Sequence, residues 1–151
     1  PFDIELFAPE RCPSDKRFFV DLPGYGYAKR SPTERKRWAE MLNCYLRKID
    51  TLVPVFVLIH SRHSPQKNDI EFVSQLDKWQ VPFSLAFTKS DKEKPAVVAR
   101  NVKAFLDTLS ETWQFLPRHF VTSAEKNIGR EELAQFIQDC NNEIADNQRE
   151  K

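Results

Sequence analysis

Apolar residues in this chain fall into two alternating patterns, one of strands and one of helices. Residues 2–7, Phe-Asp-Ile-Glu-Leu-Phe, alternate apolar and acidic positions, which predicts a half-buried strand at a sheet edge. Residues 8–17 are polar with two prolines and read as a loop. Residues 18–22 form a short apolar run holding Asp21, a buried strand. Trp38, Met41, Leu42, Tyr45, Leu46 and Ile49 then recur at steps of three and four, the spacing of one helical face. That helix is expected to start at Ser31 as N-cap, with Pro32 in its first position and Glu34 completing a capping box, and to run to about Asp50.

Val53 to Ile59 is a continuous apolar run, hence another buried strand. Ile70, Phe72, Val73, Leu76 and Trp79 predict a helix over about 67–79, followed by a strand at 81–87. Val97, Val98, Val102, Phe105, Leu106, Leu109 and Trp113 give a helix over about 95–113, and residues 118–122 the last strand. Gly129 ends a loop, and Leu133, Phe136, Ile137 and Cys140 mark the core face of a final helix. The polar tail after about Ile144 reads as frayed. Strands alternating with helices in this way predict a single three-layer α/β domain, a mainly parallel sheet with helices on both faces. Trp38, Trp79 and Trp113 sit at helical core spacing and read as packing residues.

Ligands of such sheets bind beyond the carboxyl ends of the strands. Three candidate segments fall there. Asp21-Leu22-Pro23-Gly24 places an acid at a strand end with Gly24 three positions on, and Gly24 and Gly26 are two of only three glycines in 151 residues. Such an acid can hold Mg²⁺ through water, and the glycine N–H can meet a terminal phosphate. Thr88-Lys89-Ser90-Asp91 follows the strand at 81–87. A carboxylate at Asp91 can accept from guanine N1–H and the exocyclic amine, a donor pair that adenine lacks, while the stem of Lys89 lies along the purine face. Thr122-Ser123-Ala124 follows the last strand, and the Ala124 N–H can meet guanine O6. The bland alternatives are a tight turn, a solvated charged loop and a small-residue turn. Agreement of all three on one rim favours a guanine-nucleotide site.

Asp21-Leu22-Pro23-Gly24-Tyr25-Gly26-Tyr27-Ala28-Lys29, Arg37-Trp38, Tyr45-Leu46, Arg62-His63-Ser64-Pro65 and the two later motifs together resemble the EngB family of ribosome-assembly GTPases, over about residues 18–140. The resemblance implies a Ras-like fold, GTP/GDP with Mg²⁺ as ligands, a nucleotide-switch role in large ribosomal subunit assembly, and a need for the protein in normal cell division and septation. Two departures stand out. The family's phosphate-binding loop, Gly-x-x-x-x-Gly-Lys-[Ser/Thr], and its switch I threonine segment are absent, and no glycine precedes Gly24. His60 stands where the family usually has Asp. In a Ras-like sheet the strand before the phosphate loop lies between those at 18–22 and 53–59. Asp3 and Glu5 make residues 2–7 a poor substitute, so a segment of several tens of residues is expected to be lost between about Cys12 and Phe18.

Many GTPases place Gln after Asp-x-x-Gly to orient the attacking water, whereas this chain has Tyr25. Slow intrinsic hydrolysis follows as the expectation, with no catalytic residue named. Lys29, Arg30, Arg35, Lys36 and Arg37 surround the start of the first helix; ribosomal RNA phosphates are one partner for them and plain solvation the other. A net charge of +1 decides nothing between these. No apolar run approaches the roughly 18 residues of a membrane span, and no signal peptide is visible. The start at Pro1 is expected of a processed chain or a fragment. Cys12, Cys44 and Cys140 are dispersed, which argues against zinc and for reduced thiols in a cytoplasmic protein, expected to be a monomer. A flavodoxin-like enzyme gives Thr88-Lys89-Ser90-Asp91 no role, which leaves a nucleotide-free RNA or protein docking module as the rival reading.

Overall fold

The computed structural model describes residues 5–7, 19–22, 24–25, 31–48 and 55–149, and the chain divides into two compact units, Pro1–Arg30 and Ser31–Lys151. In the first unit, β1 (Glu5–Phe7) pairs with β2 (Phe19–Asp21) antiparallel, with Glu5 opposite Asp21 and Phe7 opposite Phe19. Both strands stand where the apolar pattern puts them. Antiparallel neighbours need no long crossover between them. The expected break between Cys12 and Phe18 lies outside the described residues.

The second unit opens with α1 (Pro32–Lys48). The capping box forms as the residues dictate. The Ser31 N–H and hydroxyl donate to Glu34 Oε2 at 2.9 and 3.0 Å, and the Glu34 N–H donates to Ser31 Oγ at 3.3 Å. Leu42 and Leu46 of α1 are buried, and Trp38 packs against Phe72 of α2 (Lys67–Lys78) with ring centroids 5.8 Å apart.

The strands β3 (Val55–His60), β4 (Phe83–Thr88) and β5 (His119–Val121) form a parallel sheet in that order. Val55 pairs with Phe83 and His60 with Thr88; Leu85 pairs with His119 and Phe87 with Val121. β4 lies in the middle, and Ser84, Leu85, Ala86 and Phe87 are all buried, which is why its sequence does not alternate. Val57, Ile59, Leu85 and Phe87 share one face. Phe105 of α3 (Pro95–Ser110) meets Phe87 edge-on there, centroids 5.5 Å apart. Phe56 and Phe120 share the other face, where Phe136 of α4 (Arg130–Arg149) packs 6.1 and 5.2 Å from them. Helices therefore cover both faces, giving the three-layer α/β arrangement that the strand–helix alternation predicts.

Several boundaries differ from the periodicity; β4, expected over 81–87, spans Phe83–Thr88. α3 ends at Ser110, and Trp113, instead of extending it, donates its backbone N–H to Leu109 O and lays its ring 5.9 Å from Phe83. The strand predicted at 118–122 spans only His119–Val121. The polar stretch after Ile144 is helical as far as Arg149. Gly129 closes the loop before α4 at φ +69°, and a Cβ there would stand 2.4 Å from the Val121 carbonyl oxygen, so the turn is built for glycine.

Candidate functional site

Two parallel neighbours, β4 and β5, end side by side, and each hands over one of the sequence motifs at its carboxyl end. Thr88 is the last residue of β4. Lys89 then takes a left-handed conformation (φ 58°, ψ 37°), and Ser90–Lys92 form a single 3₁₀ turn. A lysine in that region costs about 1–2 kcal/mol, so neighbouring bonds must hold it. The Thr122 N–H donates to Phe87 O at 2.7 Å, the Ser90 N–H to Thr122 O at 3.1 Å, and the Lys92 N–H to Lys89 O at 3.1 Å. The two motif loops are thereby laced together.

Asp91 is the centre of this arrangement. Its side chain is only 6% exposed. The Ser123 hydroxyl donates a short hydrogen bond to Asp91 Oδ1, and the same oxygen of Ser123 accepts from the Lys126 N–H at 3.1 Å, which fixes its rotation. Ser123 itself is buried and exchanges backbone bonds with Ile128 in both directions, each 3.1 Å. Lys92 Nζ stands 3.2 Å from Asp91 Oδ2 and also pairs with Glu125. The Ser123 hydrogen bond chiefly holds the Asp91 carboxyl below the ordinary carboxylate value, burial works against it, and Lys92 adds to the lowering. Asp91 is thus an ionised acceptor. A carboxylate offers about four lone-pair sites, so these partners leave capacity for two further N–H donors. Ser90 Oγ is buried with no hydrogen-bond partner among the described residues. Lys89 and Ala124 are exposed beside it.

The structure brings Thr88, Lys89, Ser90, Asp91, Thr122, Ser123 and Ala124 into one place. Asp21 and Gly24 belong to the first unit, exposed at and just beyond the end of β2, with Leu22 half-buried between them; Pro23 lies outside the described residues. Of the basic run, Lys29 and Arg30 lie outside them as well, and of Arg35 only the helical backbone is described. Lys36 and Arg37 are exposed on α1, with Lys36 Nζ 4.0 Å from Glu40. His60 is exposed, its ring edge-on to His63 at 6.4 Å; nothing in the structure explains its presence in place of Asp. Lys92 and Glu125 were not legible as site residues, because a pairing across 33 positions leaves no local pattern. Ser61 and Asn101, which support Thr88, were missed too, although a lone Asn among Val98, Val102 and Phe105 on one helical face is a readable signal.

No family model matches the chain. Over 142 residues it is 42% identical to the GTP-binding protein EngB of Cytophaga hutchinsonii, an alignment covering 94% of this chain and 69% of that protein. The chain belongs to the EngB family of GTP-binding proteins. Its EngB relative in Porphyromonas gingivalis is 42% identical over 87% of this chain and 65% of its own length, and that in Christiangramia forsetii 38% over 83% and 63%. This EngB-family chain therefore spans about two thirds of the length of these relatives. Its fold is shared with translation elongation factor SelB from Methanococcus maripaludis, at 19% identity. The TM-score is 0.60 over 83% of this chain and 25% of that one for the apo form, and 0.62 over 93% and 28% for the complex with the GTP analogue GppNHp. The architecture is that of a Ras-like α/β fold.

Proposed function

We propose that this EngB-family chain recognises guanine nucleotides and belongs to a GTP/GDP switch. One observation carries the reading: Asp91 is buried, ionised and aimed by Ser123, with acceptor capacity left for the N1–H and amine of guanine. The Lys89 stem supplies a surface for the purine face, and the Ala124 N–H a donor for O6. The names of the EngB relatives support the same ligand.

The phosphate end is assigned to Asp21, the last residue of β2, with Leu22, Pro23 and Gly24 after it. Asp21 is exposed at its strand end, and the described residues contain no cluster of three or more metal-ligating side chains. Asp21 would hold a Mg²⁺ through water, and the ion would supply positive charge to the phosphates. The phosphate-binding loop belongs, in this reading, to the third of the relatives' length that the chain does not span. Hydrolysis is slow because Tyr25 replaces the amide that positions water in many GTPases.

The family resemblance carries the biological part of the proposal: a cytoplasmic, monomeric switch in large ribosomal subunit assembly, needed for cell division and septation. Lys29, Arg30, Arg35, Lys36 and Arg37 then supply contacts to ribosomal RNA phosphates. No helix among the described residues is long and apolar enough to cross a membrane.

Titration with fluorescent GDP in the presence of Mg²⁺, with ATP as competitor, tests the reading. Binding that GTP displaces and ATP does not is the expected result. Absence of GDP binding, together with a salt-dependent RNA affinity that GDP leaves unchanged, would establish the docking module in its place.

A further inference from the structure

We propose that Ser61 and Asn101 are positioning residues of the guanine subsite, acting on it through the Thr88 carbonyl. The proposal rests on the guanine reading of Asp91. Ser61 follows β3 directly and is 1% exposed. Its N–H and its hydroxyl both donate to Thr88 O, at 3.1 and 2.8 Å. Thr88 returns a bond from Oγ1 to Ile59 O at 3.2 Å. Asn101 projects from the apolar face of α3, is 7% exposed, and donates Nδ2 to Ser61 O at 3.0 Å.

An amide buried on a helix's core face is unfavourable unless it is paired, and here its partner lies in the loop beside the site rather than in the helix packing. The bonds form a chain, from Asn101 to Ser61 and from Ser61 to Thr88. Thr88 O belongs to the peptide plane whose nitrogen is that of Lys89, and rotation of this plane sets φ of Lys89. Two donors converging on one carbonyl fix that plane. The left-handed turn at Lys89 directs the following 3₁₀ turn and so places Asp91. Ser61 and Asn101 never meet the base. They determine where the acid that reads it stands.

The test uses Ser61→Ala, Ser61→Thr and Asn101→Ala, with Thr108→Ala as control. Thr108 loses a comparable bond, 2.9 Å to Ala104 O, at a distance from the loop. Affinities for GDP and for inosine diphosphate, which lacks the 2-amino group, are measured beside amide exchange of residues 88–92 in the nucleotide-free protein. Ser61→Ala and Asn101→Ala should weaken GDP by about tenfold, ~1.4 kcal/mol, and narrow the preference for GDP over inosine diphosphate. Ser61→Thr should restore both, and Thr108→Ala should change neither. Exchange at 88–92 should quicken in the two alanine variants while residues 104–110 stay as they are. Unchanged exchange at 88–92 in both variants overturns the proposal. So does a GDP preference that stays constant while melting temperature falls. If the parent protein binds no GDP, the nucleotide reading fails, and the exchange measurement still decides whether Ser61 and Asn101 hold the loop.

Discussion

The hydroxyl of Ser123 donates to Asp91 Oδ1 across 32 positions of sequence. The acid proposed to read the base is therefore aimed by a loop other than its own. Replacing Ser123 by Ala should weaken GDP binding by on the order of tenfold, since hydrogen bonds to charged groups are among the stronger ones. Calorimetry on parent and variant measures this, and an unchanged affinity would separate the serine from base recognition.

Asp91→Asn exchanges one acceptor oxygen for a donor. Guanine then meets a donor where its N–H groups need acceptors, whereas xanthine presents a carbonyl there. Loss of GDP binding by about a hundredfold or more, with gain of xanthosine diphosphate binding, is the expected outcome of competition assays. Retained GDP preference would contradict the assignment of Asp91.

The folded protein holds the Asp91 carboxyl below its ordinary value, chiefly through Ser123. Its stabilising contribution is therefore complete above the unfolded carboxylate value of about 4 and is lost as pH falls from there toward the folded value. Between pH 7 and 5 the site should be insensitive to this group. Melting temperature and GDP affinity followed from pH 7 to pH 3 should both drop only at the acid end. Ser123→Ala should bring the loss of affinity on at a higher pH than in the parent.

Gly129→Ala places a Cβ 2.4 Å from the Val121 carbonyl oxygen at a φ of +69°. A cost of about 1–3 kcal/mol is expected, read by denaturant unfolding. The damage should extend to nucleotide binding, because Val121 leads straight into Thr122 and Ser123.

At Ser31, an alanine removes the hydroxyl's two bonds with Glu34 and leaves only the backbone N–H donating to its carboxylate. The expected loss is about 1 kcal/mol, or a melting point roughly 2–4 °C lower, with GDP affinity unaltered. A larger fall in affinity than in stability would mean that the start of α1 takes part in binding.

Most of the fold was legible because its signals are local. The continuous apolar run at Val55–Ile59 marks a strand, although Leu58 is exposed on it rather than buried, and Ser31, Pro32 and Glu34 announce a helix start within four residues. Trp113 misled because it continues the apolar spacing of α3 while its ring is used against Phe83 beyond the helix end. Helix formation through Arg149 likewise has no apolar stripe to betray it. Thr88 to Asp91 and Thr122 to Ala124 stood out in the sequence because guanine demands particular donors and acceptors, and the structure brings them together. Ser61, Lys92 and Glu125 did not, since their bonds reach partners 27 to 40 positions away in the chain.

The lacing of Ser90 to Thr122 and of Thr122 to Phe87 is made entirely of main-chain hydrogen bonds. A proposed base site held by the protein's own backbone bonds would spend little of the binding energy on its own ordering. Identity and timing are thereby divided. In the proposed guanine site the β4 and β5 loops select the base, and any signal that distinguishes triphosphate from diphosphate has to originate in residues that touch the phosphates.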